Sequence, residues 1–170
     1  ADQRLDVPLY QLDIARPFGQ WTVLARTGGD DPSIALGDLG LAPGTDYVGF
    51  EFWTKRALGV VRDTLRAGAV DPTFQVQVIC LRERVAHPQL LATNRHVTCG
   101  GVDLVDVSWN GRTLTGTSQV VAGDPYELYL TEPEGFAAPS VQAEGAQVVS
   151  SRRDDGVRTV DLVGGHGVGE

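Results

Sequence analysis

Apolar and polar residues alternate along most of this chain with the two-residue period of extended strands. Leu9 to Arg16 places Tyr10, Leu12 and Ile14 on one side and Gln11 and Asp13 on the other, before Pro17 and Gly19 break the run. Trp21 to Arg26 is predicted as the next strand. Thr27-Gly28-Gly29-Asp30-Asp31-Pro32 has the composition of a loop. A short Ser33 to Leu36 segment then leads to a corner at Asp38-Leu39-Gly40-Leu41, and Ala42-Pro43-Gly44 turns the chain into Tyr47 to Trp53. In that last strand Val48, Phe50 and Phe52 share the face predicted to be core. Tyr47, Gly49, Glu51 and Trp53 share a mixed second face, read as a docking surface in preference to a sugar-stacking platform.

Leu58 to Val61 and Asp63 to Arg66 are short predicted strands, with a helical turn the alternative for the first. Phe74 to Leu81 alternates first, with Gln75 and Gln77 facing out, and then runs apolar through Val78-Ile79-Cys80-Leu81, as a strand covered on both faces does. Near Ala86-His87-Pro88 the chain is expected to pass from a first unit, 1–86, to a second, 87–170. Strands are predicted there at Gln89 to Val97, Val102 to Trp109, Arg112 to Val121, Tyr126 to Leu130, Ser140 to Ala143, Gln147 to Arg152 and Val157 to Val163. Asn110-Gly111 is a two-residue hairpin signal, and Asp154-Asp155-Gly156 a looser one. No segment holds a 3.6-residue period for three turns, so the expected fold is all-β: two antiparallel β-sandwich units in tandem.

Composition narrows the partners. A net charge of −8 and a pI near 4.8 argue against nucleic acid, whose backbone calls for a basic stripe. No apolar run approaches the ~20 residues that span a bilayer, so no membrane partner is expected. The 170 residues contain no Met, initiator included, which suggests an excerpt of a longer protein. Cys80 and Cys99 permit one disulfide, but the parity of Cys80 with Val76 and Val78 favours a buried thiol. The compartment stays open, with secretion the preferred reading.

Candidate chemistry is sparse. His87, His96 and His166 have no carboxylate or hydroxyl at a motif spacing, His96 and Cys99 stand at a zinc-like spacing but lack a second pair, and no G-x-S-x-G elbow occurs. The carboxylate pairs Asp30-Asp31, Asp103/Asp106, Glu132/Glu134 and Asp154-Asp155 are read as solvated turn residues, neither a glycosidase pair nor a calcium loop. Gly164 to Gly169 is glycine-rich but opens no helix, so it is read as a turn or chain end. No cofactor, metal or catalytic residue is expected. Trp109 is assigned to the core with Val105 and Val107, and Tyr126, Leu128 and Leu130 form an apolar face opposite Glu127 and Tyr129. Tyr47, Trp53 and Tyr129 are therefore the candidate docking or glycan-stacking residues.

The stretches Leu9 to Ile14, Arg16 to Leu24, Asp38 to Leu41 and Tyr47 to Trp53 resemble the C-terminal β-sandwich of α-galactosidase-like (melibiase-type) glycoside hydrolases. His87 to Leu91 with Arg95-His96-Val97, then Thr113 to Gly116 and Pro125 to Tyr129, resembles the crossing into an Ig-like module of bacterial relatives. The chain departs from that pattern at Ala25-Arg26-Thr27-Gly28. The resemblance implies a non-catalytic accessory region that caps and orients a (β/α)₈ barrel lying outside this chain, with at most a weak carbohydrate contact. The alternatives are a free-standing carbohydrate-binding module and an Ig-like surface adhesion domain.

Overall fold

A computed structural model describes residues 9–28, 32–136 and 140–165. The chain is all-β, built from antiparallel sheets in the manner of a β-sandwich, and divides into two compact units, Ala1–Arg84 and Val85–Glu170. No helix among the described residues is long and apolar enough to cross a membrane.

In the first unit the strands are β1 (Leu9–Arg16), β2 (Gly19–Thr27), β3 (Ser33–Ala35), β4 (Asp46–Glu51), β5 (Arg56–Arg62), β6 (Thr64–Arg66) and β7 (Val76–Glu83). They form one seven-stranded sheet in the order β1-β2-β7-β4-β5-β6-β3. A 3-10 turn at Leu36–Leu39, closed by Gly40 at φ 74°, makes the expected corner. The sheet folds over where Asp63, at φ 56°, separates β5 from β6. That fold brings Ile34, Leu36 and Leu65 onto Leu24, Tyr47, Val61, Ile79 and Leu81, which together form the core.

The register decides which face is which. Gly49 pairs with Leu81 and Glu51 with Ile79, so Tyr47, Gly49 and Glu51 lie on the face that carries the main core. The predicted assignment is thereby corrected. The face read as a docking surface is interior, and Tyr47 is only 7% exposed. Val48 and Phe50 on the other face are buried too, so β4, like the apolar run of β7, is covered on both sides. Gly49 is closely packed, since a Cβ there would sit 3.0 Å from the Cβ of Leu58. Gln77, expected to face out, is buried, and Gln75 falls outside the strand at φ 59°.

The second unit holds β8 (Gln89–Thr93), β9 (Leu104–Trp109), β10 (Leu114–Ser118), β11 (Pro125–Thr131), β12 (Ala146–Asp154) and β13 (Val157–Gly164). They pair as a four-stranded sheet, β12-β13-β11-β8, and a two-stranded one, β10-β9. Tyr126, Val160 and Leu162 centre its core, with Leu128, Leu130 and Val148 packed on them. Residues 140–143 are not a strand, and Trp109 is half-buried instead of core. Asn110-Gly111 does not make a two-residue turn, since Trp109 pairs with Leu114 across a four-residue loop. Asp155-Gly156 does: Asp154 pairs with Val157, and the two turn residues take φ 43° and 75°.

Candidate functional site

In the first unit two buried polar side chains shape a cleft. Glu51 closes β4, and its carboxylate, 2% exposed, accepts from the backbone N–H of Trp53 at 3.2 Å, Thr54 at 2.6 Å and Val78 at 3.2 Å, and from the Thr54 hydroxyl. Those bonds satisfy the buried anion and pin the turn 52–55, where the predicted strand would have continued. Arg26, near the end of β2, is 4% exposed. Its guanidinium donates to Gln77 Oε1 at 2.7 Å and to the carbonyls of Gly28 and Gly68. Gln77 Nε2 donates in turn to the Ala67 carbonyl at 2.8 Å, so the loop 67–75 is fastened to the sheet at its start. At its end the Asp71 carbonyl accepts from the N–H groups of Phe74 and Gln75, while Asp71 Oδ1 accepts from Thr73 N–H at 2.8 Å.

Between these two pinned segments lies a cleft of about 340 Å³, lined among others by Glu51, Thr54, Arg56, Asp71, Pro72 and Gln77. Beyond Val70, Asp71 and Pro72 it adjoins a wider, shallower depression bordered by Thr27, Gly28 and Gln75. An aromatic pair joins the segments, because Trp53 from the turn stacks on Phe74 from the loop, centroids 5.6 Å apart and planes 21° apart. Phe52 meets the Trp53 ring edge-on at 5.1 Å, and Phe74 is 40% exposed. Trp53 Nε1 is buried without a hydrogen-bond partner.

Of the three predicted site residues, Tyr47 and Trp53 belong to the first unit and Tyr129 to the second. Tyr47 is a core residue whose phenol oxygen accepts from Ala42 N–H at 3.0 Å. Tyr129 belongs to the second unit, is 3% exposed and donates its hydroxyl to Glu127. Trp53 stands in the turn 52–55, stacked on Phe74, and is not part of the lining of the cleft. The features that sequence reasoning missed are Arg26, Gln77 and the Glu51-x-x-Thr54 turn. The last had a legible signal in a Glu followed three residues later by a Thr at the end of an apolar run.

Several polar side chains of the second unit are buried and bonded to one another. Asp103, predicted to be solvated, is 3% exposed. Its Oδ2 accepts from the Tyr126 phenol at 2.6 Å, with Ser118 Oγ 2.9 Å from the same phenol, and its Oδ1 is without a partner. Burial foremost, then the Asp103 bond, pushes the Tyr126 phenol well above its ordinary value; burial and Glu127 do the same to Tyr129. Glu132, also expected in solvent, is 4% exposed and paired to Arg158 and Arg153. His87 stacks on Trp109 at 5.2 Å, and its Nδ1 lies 2.9 Å from the Pro88 carbonyl, which only accepts, so the proton sits on Nδ1.

Cys80 and Cys99 are buried and not in a disulfide. No group of three or more metal-ligating side chains gathers among the described residues. Asp30-Asp31, His166 and the glycine-rich end beyond Gly165 lie outside the described residues. No family model matches the chain, and neither does any curated protein or solved structure.

Proposed function

We propose that this chain is a non-catalytic accessory region of a glycoside hydrolase. Its two units, the second read as Ig-like, pack against and orient a catalytic barrel carried by the same parent protein. The observation that supports this reading is the free edge of the seven-stranded sheet. Among the described residues strand β1 pairs only with β2, and it presents Tyr10 at 65% and Leu12 at 52% exposure on one face. Large apolar side chains along an unpaired edge are what a sheet buried against another domain displays. Leu9 to Ile14 is also part of the stretch that resembles the hydrolase sandwich. The docking surface of this reading is therefore β1, in place of Tyr47 and Trp53.

The test uses the full-length parent. Tyr10→Ser with Leu12→Ser should lower the melting temperature of the barrel-containing protein by several degrees, since each buried side chain of this kind contributes about 1.5–3 kcal/mol. The same changes should leave the isolated chain within about 0.5 kcal/mol of its original stability, because both residues are solvent-exposed there. An unchanged parent melting temperature, or a parent reading frame without a barrel, overturns the reading.

A further inference from the structure

We infer that Asn110 is a site of self-catalysed covalent modification: the loop between β9 and β10 disposes its side-chain amide to close on the Gly111 nitrogen, lose ammonia and open to aspartate and isoaspartate. The inference rests on this loop alone and is independent of the accessory reading.

Such a closure needs an amide carbon held near the following backbone nitrogen, a nitrogen free to attack, and donors placed where charge develops on the amide oxygen. All of residues 110–113 are exposed, so water and solvent bases reach them. Asn110 Oδ1 accepts from Arg112 N–H at 2.9 Å and Thr113 N–H at 2.8 Å, which settles which side-chain atom is the oxygen and which is Nδ2. A side chain bonded to the second and third N–H groups beyond its own is folded back over the peptide that precedes them. The nitrogen of that peptide belongs to Gly111. Its N–H makes no hydrogen bond among the described residues, and neither does Asn110 Nδ2, the nitrogen that has to leave. Gly111 has no Cβ to crowd the approach, and nothing stands within 4 Å of the place where one would be.

A base in the solvent takes the Gly111 N–H proton as that nitrogen bonds to Asn110 Cγ. The charge collects on Oδ1, where two N–H groups already point, so both bonds strengthen as the tetrahedral carbon forms. The Cγ–Nδ2 bond then breaks, Nδ2 leaves as ammonia with a proton from water, and a cyclic imide remains. Water next adds to one of the two imide carbonyls. Addition at Cγ breaks the bond just made and gives aspartate in an unaltered chain. Addition at the Asn110 backbone carbonyl breaks the original peptide bond and gives isoaspartate, whose main chain runs through Cβ and Cγ and is one methylene longer. Either product adds a negative charge to a chain that carries −8, and isoaspartate also lengthens the loop that joins Trp109 to its partner Leu114.

Asn94, the other asparagine of the chain, supplies the contrast. It is half-buried, and its Oδ1 accepts at 2.9 Å from Glu127 N–H on β11. That bond runs to another strand and does not fold the side chain over Arg95.

The experiment incubates the whole chain at mildly alkaline pH and follows it by peptide mapping with mass spectrometry, reading isoaspartate separately by enzymatic carboxyl methylation. The peptide that holds Asn110 should gain the mass of an amide-to-acid change and divide into aspartate and isoaspartate forms, while the peptide that holds Asn94 keeps its mass. Asp155-Gly156 has no amide to lose, so the mass change separates it from Asn110. Conversion in the folded chain should be no slower than in a synthetic peptide of residues 104–118. Gly111→Ala should slow it roughly tenfold, equivalent to ~1.4 kcal/mol on the barrier, because the added Cβ crowds the attacking nitrogen. If that variant does not fold, the comparison of folded chain with peptide still decides the question. An Asn110 that stays an amide in the folded chain, that converts more slowly there than in the peptide, or that yields aspartate without isoaspartate would overturn the inference. So would equal rates at Asn94 and Asn110, or a folded Gly111→Ala variant that converts as fast as the parent chain. No barrel takes part in any of these measurements, so their failure is separate from a failure of the accessory reading.

Discussion

Tyr126 and Asp103 show how much one pair of side chains can decide in a small β unit. The phenol is 2% exposed, and its bond to Asp103 ties the chain ahead of β9 to strand β11 of the four-stranded sheet. Burial raises the folded-state value of this phenol above the ordinary 10, and Tyr129 is raised in the same direction. A raised folded-state value means that stability is fully present below pH 10. It is lost as pH climbs beyond 10, where the unfolded chain ionises and the folded one resists. Absorbance at 295 nm should therefore show Tyr126 and Tyr129 titrating only as the protein unfolds. Tyr126→Phe should reduce that alkaline loss while costing about 1–3 kcal/mol at pH 7 by urea denaturation, because it strips the buried Asp103 carboxylate of its bond. An equal loss of stability in alkali with Phe at this position would contradict the assignment.

At the scale of elements, the two hairpins of the second unit exchange the roles that their sequences suggested. Asn110 has the stronger turn signature, yet its side-chain oxygen accepts from Arg112 N–H at 2.9 Å and Thr113 N–H at 2.8 Å. That local competition from the side chain widens the loop to four residues. Asp155-Gly156, flanked by the long paired strands β12 and β13, takes the tight form because the twist of the ribbon is best matched by two residues of positive φ. Gly156→Ala should destabilise the protein by about 1 kcal/mol through the positive φ of 75° alone, since the nearest atom to the added Cβ is an ordinary 3.8 Å away. Gly111→Ala, at φ 92° with open space around it, supplies the comparison in the same denaturation experiment. The end of β4 was likewise hidden. Phe52 and Trp53 continue the alternating pattern, and only the capture of their turn by Glu51 stops the strand.

At the scale of the molecule, every strand pairing among the described residues falls within one unit: β1 to β7 in the first and β8 to β13 in the second. Each unit also has its own core. Residues 1–84 and 85–170, expressed separately, should each give a dispersed amide spectrum and a cooperative thermal transition. A fragment that stays unfolded would show that its sheet depends on the remainder of the chain.

What the sequence alone determined was the class of structure: strands in nearly the right places, no long helices, a buried thiol at Cys80, and a corner at Asp38 to Leu41. Period-two alternation and turn residues are local, so they survive without knowledge of what packs where. Tertiary structure alone decided the faces. Alternation separates Tyr47 from Val48 but does not say which side the fold-over at Asp63 will cover, and here both are covered. It decided the candidate site for the same reason. Glu51, Arg56 and Asp71 are ordinary charged residues in sequence, and become one cleft only because the pairing of β4 with β7 sets the turn 52–55 beside the loop 67–75.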